Sequence, residues 1–385
     1  MTEIDERQDA AIEELVARAR AAVPTLAAHA DQTERNVRVA AESLFAATQV
    51  GAFAMTTPSR YGGLDVDTLT MARVLIELGR GCGSTAWFAG NSCSAKRIYR
   101  PFLSETASEE LFADPNVRLC GSDLPHGRST EVAGGFTVSG RWGYASGCED
   151  AAWALVGAPV YDGDQMREER KGPLESTAFL IPTSSLRIAH TWDVVGLRGT
   201  GSHTLIAEDV FVPASHVVRL DASDFQRTGQ LVAATVVSFA PLLGVAQAAL
   251  DLVTSILGER RPPMSAYANL TESPQARHTF AEASLLIGDA HRRVCDVATT
   301  VDGVRPEQHG LTATEESRLR LDVVTAARQC RHALELLLDL HGSSSFSASN
   351  PLQRMWRDLA VGTRHGGMTS YLADENYARA VVGVE

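Results

Sequence analysis

A few side chains in this 385-residue chain stand where chemistry could be done. His365, in the run TRHGG, has the side-chain type that exchanges a proton near neutral pH. It could bind a substrate hydroxyl or amine and help to deprotonate it. Ser146 closes the run GRWGYASG and offers a hydroxyl next to the backbone of Tyr144 and Ala145. In LRGTGS, Gly199 and Gly201 allow close approach to the backbone, while Thr200 and Ser202 supply hydroxyls. Gly342 ends a helical pattern, leaving backbone groups to satisfy. Ser343, Ser344 and Ser345 follow it with hydroxyls suited to phosphate or ribose. Taken singly, each is also what a polar turn or a Gly-rich loop contains.

No familiar nucleotide or hydrolase signature accompanies them. There is no GxGxxG after a strand, no GxxxxGK[ST], no HExxH and no GxSxG. The six cysteines, Cys82, Cys93, Cys120, Cys148, Cys295 and Cys330, form no CxxC pair and no zinc spacing with histidine. They are expected to be reduced, buried thiols of a cytoplasmic protein. The acidic N-terminus MTEIDERQDAAIEEL does not read as a signal peptide.

The elements that must position these residues change character twice. Residues 1–116 read as helical, beginning with a stripe of Ile12, Leu15, Val16 and Ala19 at helical spacing. A second helix is expected over about 33–50, a Pro/Gly loop at TTPSRYGGLDVD, and further helices over about 67–80 and 84–97. Residues 117–222 hold short β-rich runs such as FTVSG, WALVGAPV and TLIAEDVFVP, with Gly134-Gly135 as a turn. They predict a small barrel or sandwich, with the charged stretch 162–176 as an exposed loop. Residues 223–385 return to long helices, one starting at Ser273 as N-cap with Pro274 at N1, and the last from about Leu352. Leu231 to Leu250 is apolar enough to raise a membrane question. Thr235, Ser238, Pro241, Gly244 and Gln247 within it favour a buried core helix kinked near Pro241.

Composition is that of a globular protein, with 44% hydrophobic and 21% charged residues. A net charge of −12 with no basic run excludes an electrostatic footprint for nucleic acid.

Four segments, in order, carry a resemblance: SGRWGYASGCEDAAW, VVGLRGTGSHTLIAEDVFVP, HGSSSFSASNPLQRMWRD and AVGTRHGG. Together they resemble the acyl-CoA dehydrogenase superfamily, and within it the oxygenase branch of two-component flavin-dependent monooxygenases. The resemblance implies an α+β multidomain fold: an N-terminal helical domain, a central β-barrel or sandwich, and a C-terminal four-helix bundle. It implies that Tyr144, Ala145 and Ser146 lie along the flavin ring, with the Ser146 hydroxyl donating near N5. Thr200 and Ser202 would lie at the cofactor or the site entrance. Gly342, Ser343 and Ser344 would take the dinucleotide part of a reduced FAD from a neighbouring subunit, and Arg261, in GERRPP, its pyrophosphate, with FMN as the alternative because serines replace the usual glycines.

The resemblance also bears on the reaction. Dehydrogenases of the common type carry a catalytic glutamate nine residues after the arginine matching Arg357; here that position is Gly366, which cannot act as a base. Many family oxygenases have a histidine where this chain has His365. Several aromatic hydroxylases carry a further histidine after a ST-x-W segment, where this chain has Asn91, Ser92 and Ala95. The implied activity is hydroxylation of an aromatic or polycyclic natural-product intermediate through a C4a-hydroperoxyflavin, with dioxygen as co-substrate. The implied partners are a separate NAD(P)H:flavin reductase and further copies of the chain, as a homotetramer or homodimer, with no nucleic acid and no membrane. An N-oxygenase of an amino sugar or amine, a desaturase with a displaced base, and a non-catalytic flavin-binding scaffold remain open.

Overall fold

The computed structural model describes residues 3–167, 177–219, 228–305, 307 and 309–383. Six helices come first: α1 (Glu3–Ala28), α2 (Ala30–Asn36), α3 (Ala41–Val50), α4 (Thr68–Gly81), α5 (Gly83–Tyr99) and α6 (Glu105–Leu111). The single helix expected over 33–50 is two. Val37 adopts a left-handed conformation (φ 52°), its N–H returns to the Glu34 carbonyl, the Arg38 N–H to the Thr33 carbonyl, and the Thr33 hydroxyl takes the Ala40 amide. The break holds the LRGTGS turn: a Cβ on Gly199 would meet Thr33 at 2.1 Å, and one on Gly201 would meet the Val37 carbonyl at 2.7 Å.

The middle of the chain is a sandwich of two sheets. One orders β1 (Leu119–Pro125), β4 (Trp153–Gly157), β7 (Thr177–Pro182) and β10 (Val217–Arg219). The other runs β6 (Gln165–Met166), β5 (Val160–Asp162), β2 (Gly127–Val132), β3 (Gly135–Ala145), β9 (His203–Pro213) and β8 (Arg187–Ala189). Phe136 of β3 meets Phe179 of β7 edge-on at 5.5 Å, and Trp142 Nε1 of β3 donates to the Gly157 carbonyl of β4 at 2.8 Å. These contacts join the two sheets. In the charged stretch, β5 and β6 pair as a short hairpin; residues 168–176, and the expected boundary at 222, lie outside the described residues.

Among the described residues five helices follow: α7 (Gln230–Ile256), α8 (Pro274–Asp302), α9 (Ala313–His341), α10 (Pro351–Gly362) and α11 (Ser370–Val382). Ser273 caps α8 by accepting the Ala276 amide, with Pro274 at N1. By length and composition α7 could cross a membrane, but 72% of its most apolar window is buried against protein, which is the burial of a core helix. It runs on through Pro241 and packs across α4 with almost no space between the backbones. A Cβ on Gly79 of α4 would sit 2.2 Å from the Pro241 carbonyl, and one on Gly244 of α7 would sit 2.0 Å from the Ile76 carbonyl. The start of α4 is tied to the bundle as well. The Asp302 carboxylate, at the end of α8, accepts the amides of Thr68 and Leu69 at 2.9 Å each.

Candidate active site

A cavity of about 790 Å³ opens where α5, the sandwich, α7 and the residues after α10 meet. Helix α5 presents one stripe to it: Trp87, Asn91, Ser94, Ala95 and Ile98, all within three turns on one face. Leu119, Cys120 and Leu155 close the sheet side, Ala234 and Ser238 come from α7, and His365 lies beyond α10. The walls are more apolar than polar, and Thr191, Asp193, Thr204 and Arg364 are among the polar side chains at the rim. Four more polar side chains line it, Asn91, Ser94, Ser122 and Ser238. None of these four makes a side-chain hydrogen bond among the described residues, so each presents open capacity to a ligand.

Tyr144, Ser146, Ser202 and His365 all line this cavity. Tyr144 stands at φ 62°, a left-handed turn at the end of β3 that throws its ring outward against Trp192, edge-on at 5.8 Å. Ala145 points the other way and is fully buried. Thr200 is buried behind Ser202 and contributes through it: Thr200 Oγ1 to Ser202 Oγ is 2.7 Å, and Ser202 Oγ to Ser146 Oγ is 2.8 Å. The turn that carries them is fixed from below. The Leu197 amide donates to Asp358 Oδ1 at 2.5 Å, and the Leu197 carbonyl accepts both Thr200 Oγ1–H at 2.8 Å and Trp192 Nε1–H at 3.1 Å.

Asp358 faces this turn rather than solvent. It is buried, and burial pushes its carboxyl up to about 6, against the pull of the Leu197 amide and Arg354. Arg357 turns to Glu34 and the Val195 carbonyl.

His365 lies at the mouth with its ring edge-on to Trp87 at 5.4 Å. Its Nδ1 accepts the Gly367 amide at 3.4 Å. With Nδ1 accepting, the proton of a neutral imidazole sits on Nε2. Gly366 has open space where a side chain would start and supplies no base.

Gly342, Ser343 and Ser344 do not line the cavity. They form a separate polar loop after α9, where Arg260 Nη2 donates to Ser344 Oγ at 3.0 Å, and His341 contacts Ser344 and Asn350. Arg261 is exposed; its neighbour Arg260 is the arginine that reaches the loop. Adjacent doublet arginines in GERRPP carry no sequence signal for which one turns inward.

Sequence reasoning also passed over Glu149, His190 and His203, whose ligand atoms lie within 4.8 Å of one another behind Ser202. Their polarity argues for hydrogen bonding rather than metal. His203 Nδ1 accepts the Trp192 amide at 3.2 Å, so the ring proton sits on Nε2, facing Glu149. A metal at Nε2 would require the opposite tautomer.

Two sequence profiles match: the acyl-CoA dehydrogenase N-terminal domain over residues 5–110 and the acyl-CoA dehydrogenase C-terminal domain over residues 236–370. The flavin-dependent monooxygenase oxygenase subunit HsaA of Rhodococcus jostii is 31% identical over 366 residues, 90% of this chain and 92% of that protein. The oxygenase component of the FADH(2)-dependent resorcinol hydroxylase of a Rhizobium is 28% identical, over 96% and 94% of the two chains. XiaF from Streptomyces, solved with FADH2 and glycerol, superposes with a TM-score of 0.92 at 29% identity, covering 100% of this chain and 98% of its own. The chain belongs to the acyl-CoA dehydrogenase superfamily, in its branch of flavin-dependent monooxygenases. It is an oxidoreductase enzyme of the acyl-CoA dehydrogenase-like fold.

Proposed function

We propose that the chain is the oxygenase component of a two-component system. It takes reduced flavin from a separate NAD(P)H:flavin reductase and hydroxylates an aromatic or polycyclic natural-product intermediate. The observation that carries this reading is one cavity, more apolar than polar, on which Ser146, Ser202 and His365 converge. The names of the relatives, oxygenase subunit and oxygenase component, support a separate reductase. Exposed apolar residues on α11, Tyr371, Val381 and Val382, support assembly as a homotetramer or homodimer. Cysteines that are free and, Cys295 excepted, buried suit the cytoplasm.

The cavity fits a planar flavin ring on chemical grounds. The backbone of Tyr144 and Ala145 with the hydroxyls of Ser146 and Ser202 would hold the ring edge. Gly342, Ser343, Ser344 and Arg260, beside Arg261, would take the dinucleotide part, which favours FAD over FMN. Reduced flavin, when bound, would supply the two electrons that activate dioxygen, one atom of which enters the substrate while the other leaves as water. The chain's own residues bind and orient the substrate. Trp87, Ile98 and Leu155 exclude water around the arene, Asn91 and Ser238 offer hydrogen bonds to its polar substituents, and His365 donates from Nε2 to a substrate oxygen, favouring its deprotonated form.

The test is product isotope content. The protein, a flavin reductase, NADH and a panel of phenols and indoles are incubated under isotopically labelled dioxygen. One labelled oxygen atom in a hydroxylated product supports the reading. Oxygen consumption that yields only peroxide with every arene, together with bleaching of bound oxidised flavin by acyl-CoA thioesters, overturns it.

A further inference from the structure

The three hydroxyls of Thr200, Ser202 and Ser146 form a chain whose direction is fixed at one end. Thr200 Oγ1 lies 2.8 Å from the Leu197 carbonyl oxygen, which has no proton to give. The Thr200 hydroxyl must donate there, and a hydroxyl has a single proton. Toward Ser202, at 2.7 Å, Thr200 therefore only accepts. Ser202 spends its own proton on Thr200, so it accepts from Ser146 at 2.8 Å. The opposite direction would face the lone pairs of Thr200 Oγ1 and the Leu197 carbonyl across 2.8 Å. Thr200 and Ser202 are 1% and 4% exposed, so water does not relieve that contact. The end of the chain is itself held rigid. The Leu197 carbonyl also receives Trp192 Nε1–H, and the Leu197 amide is tied to Asp358.

We propose that this directed hydroxyl relay makes Ser146 an acceptor toward the cavity, and that Thr200 and Ser202 thereby set the site's preference for reduced over oxidised flavin. The inference rests on the reading above that the flavin ring edge meets Ser146. It reverses the donor role expected for Ser146 from the resemblance alone. Reduced flavin carries an N–H at N5; oxidised flavin has a bare lone pair at the same atom. A serine with a free rotor serves either form by turning its proton. Ser146 has its proton committed to Ser202, so it pairs with the N–H of the reduced form and opposes the lone pair of the oxidised one. An oxygenase that receives reduced flavin from another protein gains a site that takes up that form and lets the spent form go.

The experiment is an anaerobic titration of the full-length protein with photoreduced FAD and FMN, and in parallel with the oxidised flavins, read as two dissociation constants. Wild type is expected to bind the reduced form at least about tenfold more tightly, a difference of about 1.4 kcal/mol. Ser202→Ala and Thr200→Val release the Ser146 proton and are expected to bring the ratio toward unity, mainly by tightening the oxidised form. Thr200→Ser keeps the relay and is expected to keep the ratio. If Ser146→Ala alters flavin affinity but Ser202→Ala and Thr200→Val leave the ratio as in wild type, the relay has no such role and the proposal is overturned while the flavin reading stands. If Ser146→Ala leaves both affinities unchanged, or no flavin binds, the placement of the flavin fails and the proposal falls with it.

Discussion

The Asp358 carboxylate holds the Leu197 amide at 2.5 Å and so joins helix α10 to the turn that carries Thr200 and Ser202. Its proton is linked to stability. Burial raises its carboxyl from an ordinary 3.8 to about 6 in the fold. A raised folded value means that the stabilisation is complete below the unfolded value and is lost as pH rises through about 6. Over that window the loss is on the order of 3 kcal/mol. Asp358→Asn keeps an oxygen for the Leu197 amide and cannot ionise. Melting temperatures from about pH 5 to about pH 7.5 should therefore show wild type falling relative to the variant. Parallel curves would show that this carboxyl is not the group involved.

His365→Ala removes the donor at the cavity mouth but not the hydroxyls around Ser146. Product formation with an accepted arene is expected to drop by roughly 100-fold or more, with flavin affinity retained. Product per dioxygen consumed measures it; an unchanged yield removes His365 from the reaction.

The close crossing of α4 and α7 makes Gly79→Ala and Gly244→Ala costly, by about 2 kcal/mol or more each, because backbone must move to admit the methyl group. Gly288→Ala, in α8 with only the end of Arg292 nearby, is the contrast. It is expected to stabilise by roughly 0.5–1 kcal/mol. Urea unfolding of the three variants reads the difference directly.

Arg260→Ala tests which flavin is used. The guanidinium sits on the Gly342–Ser344 loop, away from the cavity lining. Its loss should weaken reduced FAD by about tenfold, and leave reduced FMN unchanged. Equal weakening of both would place Arg260 at the shared part of the ligand, and no change would remove it from the site.

Much of this architecture is legible in the residues because the signals are local. Ser273-Pro274 marks a helix start by its own chemistry, and the apolar period of the N-terminal helix is visible in Ile12, Leu15 and Val16. What could not be read depends on distant partners. The break at Val37 has no glycine or proline to announce it; it exists because the LRGTGS turn packs into it from 160 residues away. That Arg260 rather than Arg261 meets Ser344, and that Asp358 is buried, are also long-range outcomes. At Ser146 sequence and resemblance could place a hydroxyl. Only the positions of Thr200 and Leu197 decide which way its proton points.

The debt of α4 to the end of α8 bears on how the chain is made. The first amides of α4 wait for Asp302, and its Gly79 face waits for Pro241. A ribosome emits residues 68–81 long before either arrives. The nascent N-terminal helices therefore leave the exit tunnel with an apolar face uncovered, a natural client surface for chaperones. Residues 1–220 alone would lack both α7 and Asp302, so the fold closes only when synthesis is well into its last third.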